Sequence, residues 1–245
     1  MQPEVAGLGS AEVGTRNSLR VAELFTSIQG EGVWAGTPST FVRVSGCNLR
    51  CKWCDSPYSS WLPEGPVRDV DEIVDDVSRA GIEHVVITGG EPMLFDSVSV
   101  LAENLHAKGH VLTIETAGTI FRDLPCDLMS VSPKLAHSTP EGEWRSRHES
   151  TRLNLDVLRR LSERYSCQFK FVVNPDSGLG DIGEIEALVK ELPSLVPANI
   201  LLMAEGTDPE TLARREKLLV PALLERGWRL SPRLHIHLFG NSRGT

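Results

Sequence analysis

The sequence is short of positive charge, of cysteine and of long apolar runs, and each shortage excludes a class of protein. Lys plus Arg number 25 against 33 Asp plus Glu, a formal net charge of −8. The overall field therefore repels nucleic acid, and a polymer-binding role would need a local basic patch. No stretch approaches the roughly 18 consecutive apolar residues of a membrane-spanning helix. Met1-Gln2-Pro3-Glu4-Val5 also lacks the basic-then-apolar order of a secretory signal. The expectation is a soluble, cytoplasmic chain with neither a membrane nor a nucleic acid as partner. Only five cysteines occur in 245 residues, an odd number that argues against a disulfide framework. What is present, 40% hydrophobic and 24% charged residues, excludes disorder and collagen and suffices to bury a substantial core.

Residues 1–18 are rich in Gly, Ala and Ser without a period and read as a flexible N-terminal extension, with 19–245 as a single domain. From Leu19 onward, short β-branched runs alternate with segments of helical period. Strands are expected at Leu19–Phe25, Thr40–Val44, His84–Thr88, Val111–Thr116, Leu128–Val131, Gln168–Val173 and Ile200–Met203. The stretch from Asp69 to Val77 puts Val70, Ile73, Val74 and Val77 on one helix face, with Asp69 and Glu72 spaced as a capping box and Gly81 as the stop. Helices over Val98–Lys108, Thr151–Tyr165, Ile182–Leu192 and Pro209–Arg226 follow. Asp208-Pro209 opens the last, and Pro221 is expected to kink or split it. His137–Trp144 reads as a polar surface loop in which Trp144 packs, and His235 and His237 read as structural histidines in a terminal strand. Alternation of this kind implies parallel strands joined by right-handed crossovers, hence an α/β fold. Periodicity alone leaves an open doubly wound sheet and a partial barrel both available. Either one puts chemistry at the C-terminal ends of the strands.

Three of the five cysteines follow such a strand, in Ser45-Gly46-Cys47-Asn48-Leu49-Arg50-Cys51-Lys52-Trp53-Cys54-Asp55-Ser56. The spacing C-x3-C-x2-C can wrap thiolates round one centre, and soft sulfur suits zinc or iron–sulfur. A structural zinc wants a fourth Cys or His, yet no histidine precedes His84, and Cys126 and Cys167 fall in or beside strands. An iron–sulfur cluster with three protein ligands and one open iron is the favoured reading; zinc, or three core cysteines, are the alternatives.

The cysteine spacing with Trp53 before the last thiol resembles the signature of the radical S-adenosylmethionine (SAM) superfamily, in which three cysteines hold a [4Fe–4S] cluster and SAM takes the fourth iron. A second segment strengthens the resemblance: His84-Val85-Val86-Ile87-Thr88-Gly89-Gly90-Glu91-Pro92 runs a strand into Gly-Gly-Glu-Pro, which in that superfamily meets the amino group of SAM. Glu91, and Glu115 at the end of Val111–Thr116, are then candidates to accept hydrogen bonds from an ammonium and a ribose. Glycines there let backbone approach a cofactor closely.

Within the superfamily, Glu23-Leu24-Phe25-Thr26-Ser27-Ile28-Gln29-Gly30-Glu31-Gly32, then Phe41-Val42-Arg43, and the ending Pro232-Arg233-Leu234-His235-Ile236-His237-Leu238-Phe239-Gly240-Asn241-Ser242-Arg243-Gly244-Thr245 resemble the 7-carboxy-7-deazaguanine synthase family over nearly the whole chain. The resemblance implies a single-domain, partial and modified (β/α) barrel, usually a homodimer. It also implies conversion of 6-carboxy-5,6,7,8-tetrahydropterin to 7-carboxy-7-deazaguanine with release of ammonia, on the route to queuosine and other deazapurines. Hydrogen would leave C6 of the pterin, the ring would contract, and the hydrogen would return. The cofactors implied are a [4Fe–4S] cluster on Cys47, Cys51 and Cys54, SAM, and Mg²⁺ on Ser56, where the family often has Thr. Ile28, Gln29, Gly30, Arg43 and Thr88 would hold the pterin, with Thr245 brought to it by a C-terminus folded back. Arg43 suits a carboxylate through its bidentate fork. Trp53, Cys54, Asp55, Gly90, Ser132, Pro133, Lys134 and the loop Met203, Ala204, Glu205, Gly206 would lie along SAM. A flavodoxin or ferredoxin-type protein would supply the electron. Two other readings compete: an activase that installs a glycyl radical, which has no use for Gln29 and Arg43, and a zinc-stabilised RNA-binding module, which the acidic balance disfavours.

Overall fold

The structure is a computed structural model describing residues 17–178 and 180–245. Most of the expected N-terminal extension therefore lies outside the described residues. Its last member, Ser18, already belongs to the sheet, paired with Asp69.

Nine strands form one sheet: β1 (Ser18–Ile28), β2 (Pro38–Val44), β3 (Val67–Asp69), β4 (His84–Gly89), β5 (Val111–Thr116), β6 (Leu128–Val131), β7 (Cys167–Val173), β8 (Ile200–Ala204) and β9 (Arg229–Leu230). Their order is β3-β1-β2-β4-β5-β6-β7-β8-β9. From β2 to β9 every pairing is parallel. The sheet does not close on itself, so the architecture is a partial barrel within the α/β class. One expectation needs correction: β1 is antiparallel to both β2 and β3. The connection from β1 to β2 is a short loop without a helix, and only an antiparallel pair can be joined that way. Strands β3 and β9 were too short to show a pattern.

The helices are α1 (Pro57–Ser60), α2 (Val70–Ala80), α3 (Ser97–Ala107), α4 (Arg145–Thr151), α5 (Leu155–Arg164), α6 (Gly180–Lys190), α7 (Pro209–Arg226) and α8 (Leu234–Phe239). Covered by helices, the central strands read as continuous apolar runs; β4, β7 and β8 are almost wholly buried. Helix α2 buries the four residues that its period selects, is capped by the Asp69 carboxylate on Asp71 N, and stops at Gly81, whose φ of 70° is left-handed. Helix α5 starts later than expected because Asn154 caps it, accepting from Val157 N.

Three expectations need revision for physical reasons. Pro221 does not split α7, since Leu212, Leu219, Ala222 and Leu223 anchor one face. The carbonyl that loses its helical donor belongs to Lys217, an exposed residue. His235 and His237 lie on a helix rather than a strand: α8 is short enough that its alternating residues fit either period, and burial of Ile236 decides. Finally, His137–Trp144 is not an open loop but carries two short 3-10 turns that lead into α4, inside which His148 is buried.

Candidate active site

The C-terminal ends of β2, β4, β5, β6, β7 and β8 open into one cavity. The cysteine loop leaves β2 there and is clamped at its root. Gly46 N donates to Ser59 O at 2.7 Å and Gly46 O accepts from Glu91 N at 2.9 Å. A side chain at Gly90 would place Cβ 2.1 Å from Gly46 O and 2.6 Å from Ser59 O, and one at Gly89 would stand 2.0 Å from Val44 O. The Gly-Gly pair is thus required first by backbone stacked on backbone beneath the loop.

Cys47, Cys51 and Cys54 line the cavity and pack with Leu49 and Ala117. Burial pushes the Cys47 and Cys51 thiols up to about 12, and the neighbouring cysteines add to it. Lys134 is the one cation that acts against this at Cys51. Thiols so placed ionise only when a positive centre joins them. Among the described residues no three His, Cys, Asp or Glu side chains converge tightly enough to ligate a single ion. Three thiols backed by Leu49 and Ala117 on one cavity wall suit an iron–sulfur cluster that leaves one iron open. Cys126 and Cys167 are absent from this wall; the first points its thiol at Leu112 O and the second is buried in β7.

Charged and polar groups make up much of the remaining lining. Glu115 accepts from Gln29 Nε2 at 3.2 Å and from Thr88 Oγ1 at 2.8 Å. Arg43 donates to Glu23 at 2.8 Å, and Tyr58 OH donates to the same oxygen at 2.7 Å. Lys170, 4% exposed, pairs with Glu31 and stands 3.9 Å from Glu115. Arg233 reaches both Glu31 and Asp55. Burial alone would raise the Glu31 carboxyl, but Lys170, then Arg233 and His235, outweigh it and hold the group well below the usual range.

Of the residues expected from sequence, Ile28, Gln29, Gly30, Arg43, Trp53, Asp55, Ser56, Thr88, Gly90, Glu115, Ser132, Lys134, Met203 and Thr245 also line this cavity. Pro133, Ala204, Glu205 and Gly206 do not: Gly206 O instead accepts from Arg233 at 2.6 Å, and Glu205 faces Arg215 and His137. Glu91 is placed behind the wall. Fully buried, its carboxylate accepts from Met93 N at 3.0 Å, Thr116 Oγ1 at 2.7 Å and Ala117 N at 2.8 Å. That ties the Gly-Gly turn to the end of β5 and leaves the group little capacity for a ligand. Burial raises its pKa despite those donors.

Lys170, Arg233 and His235 were not anticipated as cavity residues. A lysine between two phenylalanines in a strand, Phe169-Lys170-Phe171, was the available signal for the first. His235 packs on Gly30, where a Cβ would meet its ring nitrogen at 1.9 Å.

A three-cysteine loop after a strand, with a Gly-Gly turn stacked beneath it in an open parallel sheet, defines a radical SAM protein. Residues 41–185 match the model of the Radical SAM superfamily, and the chain belongs to that superfamily. It is 45% identical to the 7-carboxy-7-deazaguanine synthase of Halobacterium salinarum over 93% of both chains. With that of Rhodopirellula baltica it shares 39% identity over 94% of this chain and 90% of the other. The crystal structure of QueE from Escherichia coli superposes with a TM-score of 0.65 at 25% identity, covering 87% and 93%. The chain belongs to the 7-carboxy-7-deazaguanine synthase family.

Proposed function

We propose that this cavity carries the family's activity as a lyase, converting 6-carboxy-5,6,7,8-tetrahydropterin to 7-carboxy-7-deazaguanine with release of ammonia. The carrying observation is that the three thiols open into the same cavity as Arg43, Gln29, Thr88 and Glu115. Cys47, Cys51 and Cys54 hold the [4Fe–4S] cluster. Bound there, cluster and SAM supply the radical that starts the reaction.

The chain's own residues bind, orient and exclude water. Arg43 presents a guanidinium to the substrate carboxylate, steadied by Glu23. Gln29 and Thr88 keep Glu115 oriented as an acceptor. Ile28, Gly30 and Thr245 complete the pterin contacts. Trp53, Asp55, Gly90, Ser132 and Lys134 lie along SAM, with Pro133 and the loop Met203, Ala204, Glu205, Gly206 shaping that side. Glu91 supports the loop from behind instead of touching SAM. Ser56 offers a hydroxyl to Mg²⁺, a hard cation that suits substrate carboxylate oxygens. The electron donor is a flavodoxin or ferredoxin-type protein, and the working form of 19–245 is a homodimer of one radical SAM domain, in the cytoplasm. No helix among the described residues is long and apolar enough to cross a membrane.

Anaerobic reconstitution followed by incubation with the carboxytetrahydropterin, SAM, Mg²⁺ and a reductant tests the reading. Formation of the deazaguanine with ammonia is expected. SAM cleavage without that product refutes the substrate assignment, and stoichiometric zinc without iron refutes the cofactor.

A further inference from the structure

The segment Ala136–Thr151, which the site's motifs left unexplained, is built against the cysteine loop at several points. Lys52 N donates to Ser138 O at 2.9 Å. Arg50 N donates to His148 Nδ1 at 3.2 Å. The His137 ring stacks on Trp53 with centroids 5.4 Å apart, and the Arg50 guanidinium lies 4.6 Å over Trp144. Every loop residue touched, Arg50, Lys52 and Trp53, falls between the outer two cysteines.

His148 is the centre of this frame. It is 1% exposed and both ring nitrogens are engaged, Nε2 standing 2.9 Å from Ser138 Oγ. An amide N–H only donates, so Nδ1 is the bare nitrogen and Nε2 carries the proton offered to Ser138. Ser138 in turn gives its carbonyl to Lys52. One hydrogen-bonded frame therefore fixes the two backbone amides that flank Cys51.

Without such a frame the loop would have to be ordered at the moment of cluster binding, against roughly 1–2 kcal/mol of backbone entropy per residue. Amides directed to His148 and Ser138 are also withheld from the thiolates, where N–H donors alter a cluster's potential. We propose that His148 is a positioning residue that preforms the cysteine loop, acting through the Arg50 amide and Ser138. The proposal rests on the cluster reading above.

His148→Leu removes the acceptor and strands the Arg50 amide, whereas His148→Asn keeps an acceptor near the Nδ1 position. In iron-free protein, hydrogen exchange over residues 48–54 should accelerate about tenfold in His148→Leu and stay within about twofold in His148→Asn; tenfold corresponds to ~1.4 kcal/mol, one lost buried hydrogen bond. Iron loss from the reconstituted protein to a chelator should follow the same order. The midpoint potential and electron paramagnetic resonance of the reduced cluster should shift in His148→Leu but not in the exposed control Ser146→Ala. An exchange profile for His148→Leu that matches the parent overturns the proposal, as does equal acceleration in His148→Asn. Should His148→Leu fail to fold, Ser138→Ala decides: faster exchange confined to 48–54 supports the frame, and unchanged exchange overturns it. A parent chain that retained no iron would sink the cluster reading while leaving the exchange result to judge His148.

Discussion

Lys170→Met keeps the length and volume of the side chain while deleting its charge. The lysine is 4% exposed and its partner Glu31 15%, so the deletion leaves a nearly buried carboxylate with Arg233 Nε, 3.3 Å away, as its remaining contact cation. Breaking a buried pair by removing one partner costs roughly 3–5 kcal/mol. Arg233 stays in place and Glu31 keeps some solvent, which brings this case to ~2–3 kcal/mol. At about 2–4 °C per kcal/mol for a chain of this size, the melting temperature should fall by about 4–12 °C.

The sign with pH follows from the depressed Glu31 carboxyl. Its contribution in the parent is complete above the unfolded value, near 4.5, and is lost as pH falls towards the folded value. In the variant the folded value rises, because burial is opposed by less positive charge. The gap between parent and variant is then widest at neutral pH and narrows below about pH 4.5. Urea unfolding of both chains, iron-free, at pH 7 and pH 4 measures it, with Lys170→Met/Glu31→Gln expected to cost less than the sum of its parts. A gap under ~0.5 kcal/mol at pH 7, a gap unchanged at pH 4, or strict additivity would each refute the reasoning.

Two further outcomes are expected. Replacing Cys47, Cys51 or Cys54 by Ala should each abolish iron retention on reconstitution, whereas Cys126→Ala and Cys167→Ala should retain it; equal loss from all five contradicts the three-ligand wall. Gly90→Ala forces a Cβ to within 2.1 Å of Gly46 O, a backbone clash costing ~1–3 kcal/mol or more. Thermal unfolding and iron content should both drop, and a stable, iron-replete variant would show that the turn has room.

Legibility differed between residues according to how local their determinants are. The central strands were readable because parallel strands covered on both faces must be β-branched or apolar throughout, as Val85, Val86 and Ile87 are. Strand β9, with two residues, carries no period at all. His235 looked like one of an alternating pair; only the docking of α8, where Leu234 N bonds Gly30 O at 2.8 Å, brings its ring to the cavity.

The amino-acid sequence by itself determined the alternating α/β order, the division of five cysteines into a ligand trio and two packing residues, and the chemistry that such a trio can support. Those properties reside in spacing and period along a few consecutive residues. Tertiary structure alone decided which carboxylates face the reaction space, Glu115 inward and Glu91 behind the wall, although each lies at or just past the end of a strand in the same sheet. It also decided that Lys170, Glu31, Arg233 and Asp55 form one charge network, and that Ala136–Thr151 frames the cysteine loop. The physical reason is shared: each depends on which strand ends become neighbours, and contacts between residues about 100 apart, such as Arg50 with His148, leave no trace in local pattern.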